Sequence, residues 1–222
     1  MLEAIIFDMD GVLIDSESKH YPVLKQLLAE HGYDYTLEHF LCYCGMPDVE
    51  MWPRLLAKAK LDADPEIMHR LHWERYQQYL DEYGLPSFPG TAQLLQSLKQ
   101  EGYLLAVASA SLSDVIEDYM QRLGYSQYFD CVVSAQSCAH GKPEPDVFLL
   151  ASEQIGVPPQ DCLVIEDSRN GMIAAQRAGM KWVGFCGAEI PTDMSYAPFT
   201  FSDYRDITPY DFEKWYRLME SR

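Results

Sequence analysis

The chain has 222 residues, of which 48% are hydrophobic, 13% aromatic and 23% charged, which fits one large or two small globular domains and excludes collagen-like and intrinsically disordered chains. Seventeen basic against thirty-four acidic residues give a formal charge of −17, so the averaged field repels nucleic acid and anionic lipid, and neither is an expected partner. The apolar stretches, such as Tyr103 to Ala108, fall short of the ~20 residues that span a bilayer, and the N-terminus lacks a basic region followed by an apolar one; a cytoplasmic protein is expected, with a monomer favoured.

The first segment, Glu3 to Phe7, is an apolar run ending in Asp8-Met9-Asp10-Gly11, which reads as a buried strand entering a turn. From Glu17 to His31, Leu24, Leu27 and Leu28 recur at helical spacing until Gly32 stops the run. The pattern stays helical from Tyr33 to Tyr83, with Asp62 to Pro65 marking a turn and a helix start. Gly84 to Gly90 is a Pro/Gly-rich connector. Beyond it, helices at 91–102, 114–123, 145–155 and 170–178 alternate with strands at 103–109, 131–134, 162–166 and 181–185. This β-α alternation predicts an α/β fold, a parallel sheet covered on both faces, with the helical stretch after the first strand as an insertion. Phe199 to Arg222 offers a short strand and a helix at 210–219. The six cysteines, Cys42, Cys44, Cys131, Cys138, Cys162 and Cys186, lack C-x-x-C spacing and are expected to be buried free thiols.

Ligands of an open parallel sheet bind beyond the carboxyl ends of its strands, near the reversal of strand order. The polar residues predicted there are Asp8 and Asp10 after the first strand, Ser109 after the second, and Glu166 and Asp167 after the fourth, with Lys142 in Gly141-Lys142-Pro143 before another helix. Carboxylates so close repel unless protons or a hard cation offset them, and Mg²⁺, which prefers oxygen ligands and is often shared with a substrate phosphate, meets that need. Asp8 and Asp167 are the expected ligands, with Glu166 acting through water or as support. Singly, the Asp8 to Gly11 run is an ordinary turn or a fragment of a calcium loop, Lys142 a solvated charge, Ser109 a cap and Glu166-Asp167 a helix start. Only their joint placement argues for a site.

Asp8-Met9-Asp10-Gly11-Val12, Ser109 after an apolar strand, Lys142 before Pro143, and Glu166-Asp167-Ser168 occur in that order, and together they resemble the haloacid dehalogenase superfamily, in its phosphatase and β-phosphoglucomutase-like branch with an inserted helical cap. The resemblance implies a Rossmann-like core, residues 1–16 and 85–222, and a cap, residues 17–84, that closes over the site and carries specificity. It assigns Asp8 as the nucleophile that forms an aspartyl-phosphate. Asp10 becomes the general acid and then the base, with its backbone carbonyl on Mg²⁺, and Ser109 and Lys142 bind phosphoryl oxygens. Dehalogenases of the superfamily lack the second Asp, so dehalogenation is disfavoured.

His20 is a candidate for substrate contact, with Tyr21 and Trp52 as further cap residues near a pocket. The mutases of this type hold a second phosphate with a cap arginine shortly after a Gly-x-Ser step. Here that run reads Gly45-Met46-Pro47-Asp48-Val49-Glu50, with an acid in the arginine's place, leaving Arg54, Lys58, Arg70 or Arg75 as substitutes. A Mg²⁺-dependent phosphatase acting on a small phosphorylated metabolite, such as a sugar phosphate, is the expected function. The alternatives are a β-phosphoglucomutase-type mutase and an inactive binding or regulatory module of the same fold.

Overall fold

In the computed structural model, residues 1–43, 46 and 48–220 are described. Six parallel strands, β1 (Ala4–Phe7), β2 (Leu104–Ser109), β3 (Cys131–Ser134), β4 (Cys162–Glu166), β5 (Lys181–Phe185) and β6 (Thr200–Phe201), form one sheet in the order β3-β2-β1-β4-β5-β6. The helices are α1 (Ser16–Glu30), α2 (Leu37–Leu41), α3 (Asp48–Ala59), α4 (Pro65–Tyr83), α5 (Thr91–Gln100), α6 (Ser113–Arg122), α7 (Asp146–Ile155), α8 (Arg169–Arg177) and α9 (Pro209–Glu220). Parallel strands covered on both faces read as continuous apolar runs, and Ile5, Ile6, Phe7, Val107, Val164 and Ile165 are fully buried. One face packs its small residues, Ala106 and Ala108 among them, against Val147, Phe148 and Ala151 of α7, and Ala174 and Ala175 of α8 join the same cluster. The C-terminal segment adds an edge strand, β6, beside β5, and α9 packs on α5.

The chain divides into two compact units, one formed by Met1–Asp15 with Pro86–Arg222, the other by Ser16–Leu85. The first holds the sheet. The second is helical, with α4 packed on α1 and α3 around Leu27, Leu28, Leu55, Leu56, Tyr76 and Leu80. Its longest helix starts where the sequence predicts it: the Asp64 carboxylate accepts hydrogen bonds from the N–H groups of Glu66 (2.8 Å) and Ile67 (3.1 Å), and Pro65 follows. Among the described residues no helix is long and apolar enough to cross a membrane.

The cysteines differ from expectation. Cys42, Cys131, Cys138, Cys162 and Cys186 are free, but only Cys162 among them is buried; Cys42 and Cys186 are exposed and the other two half-buried. Cys131 sits on the short strand at the sheet's end, and Cys186 lies just past the end of β5, where cover is thinner. Cys44 lies outside the described residues.

Asp64→Ala removes the cap of α4 and is expected to lower stability by about 1 kcal/mol, read as a lower urea midpoint at unchanged slope.

Candidate active site

β1 lies between β2 and β4, where the strand order reverses, and the residues beyond its carboxyl end face the crevice that such a reversal opens. Register carries the ladder one step further, since the Asp8 N–H donates to Ile165 O at 3.0 Å, which puts Asp8 beside Glu166. The chain then turns tightly: the N–H groups of Leu13 (2.8 Å), Ile14 (3.1 Å) and Val12 (3.3 Å) all reach the carbonyl of Met9. Gly11 in this turn has φ +77°, and a Cβ there would stand 2.1 Å from Asp167 Oδ2. Glycine is required twice over, for the left-handed backbone and for the approach of the carboxylate.

Lys142 arrives from the loop before α7. Its Nζ donates to Asp8 Oδ1 at 2.6 Å, to Glu166 Oε1 at 2.7 Å and to the carbonyl of Ala108 at 3.2 Å, and its side chain is 9% exposed. Glu166 is fully buried, and its other oxygen accepts from the N–H (2.8 Å) and hydroxyl (2.9 Å) of Ser168. Ser168 in turn caps α8 through the N–H of Gly171 (3.0 Å). A Cβ on Gly171 would stand 1.7 Å from Glu166 Oε1, so Gly171 leaves the space that this carboxylate fills. Burial works against the charge of Lys142, yet Asp8 and Glu166 together raise its pKa above the ordinary lysine value. Burial also pushes the Asp8 carboxyl up to about 7, against the pull of Lys142 and with Glu166 and Asp10 adding to the rise.

Asp8, Glu166 and Asp167 place carboxylate oxygens within 4.8 Å of one another, all buried. Three carboxylates against one ammonium leave an excess of two negative charges when all are ionised. That excess, the all-oxygen donor set and the raised Asp8 pKa fit a divalent hard cation such as Mg²⁺. Both Glu166 oxygens already have protein partners, so Glu166 is placed to brace Lys142 as well as to face the cluster.

Ser109 is 1% exposed at the end of β2, and its hydroxyl accepts from the Ser111 N–H at 3.0 Å. The Ser111 hydroxyl donates to Asp10 Oδ2 at 2.7 Å, and the Ser134 hydroxyl donates to the Ser111 carbonyl at 2.6 Å. Neither Ser111 nor Ser134 follows from the sequence reading; the repeat of Ser at 109 and 111 directly after an apolar strand was the available signal.

His20 belongs to the helical unit. Its ring stacks on Tyr76 (3.7 Å between centroids) and its Nδ1 lies 3.3 Å from His72 Nε2. Burial and then His72 hold its pKa well below the ordinary histidine range, and burial and then His69 lower His72 to about 4, so the pair is neutral at pH 7. Tyr21 packs beside Phe40 and Tyr35, and Trp52 is buried beside His72. Three of the substitute cations pair with acids of their own unit: Arg54 with Glu50 (3.1 Å), Arg70 with Glu74 (3.8 Å) and Arg75 in a two-point contact with Glu30 (2.7 Å each). Lys58 lies over the Tyr43 ring, and Asp48 pairs with His69. Gly45 and Pro47 lie outside the described residues.

Residues 5–185 match the family of haloacid dehalogenase-like hydrolases, and the chain belongs to that family of enzymes. It is 31% identical to the phosphorylated carbohydrates phosphatase of Thermotoga maritima, over 81% of this chain and 83% of that one. It is 33% identical to the fructose-1-phosphate phosphatase of Escherichia coli, over 79% of this chain and 92% of that one. A solved structure of β-phosphoglucomutase from Clostridium difficile covers 100% of both chains with a TM-score of 0.80 at 26% identity.

Lys142→Met leaves two buried carboxylates without their cation and is expected to cost roughly 3–5 kcal/mol. Because Glu166 is one of the two, Glu166→Gln in the same chain is expected to cost less than the two single losses added, a double-mutant cycle that chemical unfolding in EDTA measures.

Proposed function

We propose that the protein is a Mg²⁺-dependent phosphatase that hydrolyses a small phosphorylated carbohydrate through an aspartyl-phosphate on Asp8. The observation that carries this is the buried Lys142 ammonium within 2.7 Å of both Asp8 and Glu166 at the point where the strand order reverses. The chemistry follows from the residues. An ionised Asp8 carboxylate attacks phosphorus while the ester P–O bond breaks, and Asp10 gives a proton to the leaving oxygen. Asp10 then takes a proton from water as that water attacks phosphorus, the bond to Asp8 breaks, and inorganic phosphate and the free carboxylate return. Lys142 favours the ionised form of Asp8 against the pull of burial and, with Ser109, offers donors to the phosphoryl oxygens, where charge spreads in the transition state.

The side chains of Asp8 and Asp167 and the backbone carbonyl of Asp10 would hold the Mg²⁺, with Glu166 acting through water or as support. When bound, the cation supplies positive charge that offsets the carboxylates and the phosphoryl group. The phosphatase relatives support the substrate class. The mutase reading draws on the full-length likeness to β-phosphoglucomutase, but a mutase must grip a second phosphate, and Arg54, Arg70 and Arg75 are paired with Glu50, Glu74 and Glu30. His20 is retained as a substrate-contact candidate, in neutral form.

Asp8→Asn is expected to lower turnover of p-nitrophenyl phosphate by about 10²-fold or more, and Asp10→Asn to lower kcat by as much through the base-assisted hydrolysis of the aspartyl-phosphate; wild-type kcat in either variant would sink the reading. EDTA is expected to abolish phosphate release and added Mg²⁺ to restore it; activity that persists in EDTA after dialysis argues against the metal. A screen of sugar phosphates separates the two enzymes, because a mutase forms glucose 6-phosphate from glucose 1-phosphate with little phosphate release.

A further inference from the structure

A proton donor carried by a turn keeps rotamer freedom that costs rate, since a misplacement of about 1 Å loses as much as 10²-fold. Asp10 is half-buried in the turn after β1, and among the described residues the side chain that hydrogen-bonds its carboxylate is Ser111, at 2.7 Å on Oδ2. Ser111 is itself fixed by its backbone. Its N–H donates to Ser109 Oγ at 3.0 Å and its carbonyl accepts from Ser134 Oγ at 2.6 Å. Ser109 and Ser134 are register partners at the carboxyl ends of β2 and β3, both buried, so the sheet holds the two anchors and they hold Ser111.

We propose, building on the acid–base assignment of Asp10 above, that Ser111 is the positioning residue of that acid, transmitting the rigidity of β2 and β3 to the Asp10 carboxyl group. With Oδ2 engaged by the Ser111 hydroxyl, Oδ1 carries the transferable proton. In the first step that proton passes from Oδ1 to the leaving oxygen as the oxygen–phosphorus bond breaks and the Asp8–phosphorus bond forms. In the second, Oδ1 takes a proton from the attacking water as the Asp8–phosphorus bond breaks. Ser111 keeps its own proton throughout.

The test uses two esters of nearly the same shape, phenyl phosphate and p-nitrophenyl phosphate. The nitro group stabilises the departing oxyanion, so transfer from the second ester to Asp8 needs little help from an acid, and kcat/KM reports that transfer alone. Ser111→Ala is expected to lower kcat/KM about tenfold on phenyl phosphate and less than about twofold on p-nitrophenyl phosphate, a fraction of what a positioned acid contributes. Ser111→Thr keeps the hydroxyl and is expected to stay within about threefold of wild type on both. A general loss of structure lowers both esters alike, so equal losses overturn the inference, as does an undiminished rate on phenyl phosphate or a Thr variant as impaired as the Ala variant. Asp10→Asn run beside them separates the failures. Should it lose rate selectively on phenyl phosphate while Ser111→Ala does not, the positioning role falls and the acid assignment stands. Should Asp10→Asn show no selectivity, the acid assignment falls and takes the role of Ser111 with it.

Discussion

One ammonium group, Lys142 Nζ, lies 2.6 and 2.7 Å from carboxylate oxygens that the sheet register sets side by side. Each contact gains on the order of 6 kcal/mol at an effective dielectric of ~20. The desolvation of each buried ion costs several kcal/mol in the other direction, so the arrangement is a near balance rather than a source of stability. What it provides is placement. Lys142 opposes the burial that pushes the Asp8 carboxyl up, and it pairs the charge of the fully buried Glu166.

The sheet makes that placement rigid. Asp8, Ser109, Ser134 and Glu166 all stand at carboxyl ends of parallel strands, so their backbone positions are set by ladder hydrogen bonds rather than by loops. Gly11 and Gly171 complete the fit from the opposite direction, by having no side chain where Asp167 and Glu166 need space. Residues that arrive from loops, Lys142 and Ser111, are each tied to strand-end groups, Lys142 through Ala108 O and Ser111 through Ser109 and Ser134.

The strands were legible because a strand buried on both faces is a short apolar run with little ambiguity, and 131–134, 162–166 and 181–185 coincide with β3, β4 and β5. The meeting of Asp8, Lys142, Glu166 and Asp167 was legible for a related reason: strand ends in a parallel sheet share one edge. What could not be read was any partnership that depends on register or on rotamers. Ser134 reaches Ser111 only because β2 and β3 pair Ser109 with Ser134, and His20 in α1 meets His72 in α4 across a sequence separation of 52. The exposure of Cys186 depends on how thinly a two-residue edge strand covers the sheet.

A chain of formal charge −17 repels a phosphate dianion at long range, and the cluster itself carries two more negative than positive groups when ionised. In the proposed reading, the attraction that captures such a substrate is local: Lys142, strand-end donors such as Ser109 and a bound Mg²⁺ would supply it after water is displaced. Binding of that cation and of the phosphate would then be coupled by mutual charge compensation, since each would lower the electrostatic cost of the other. Within the helical unit, Arg75 and Glu30 hold each other in a two-point contact that raises the pKa of one and lowers that of the other, which compensates that positive charge between α4 and α1.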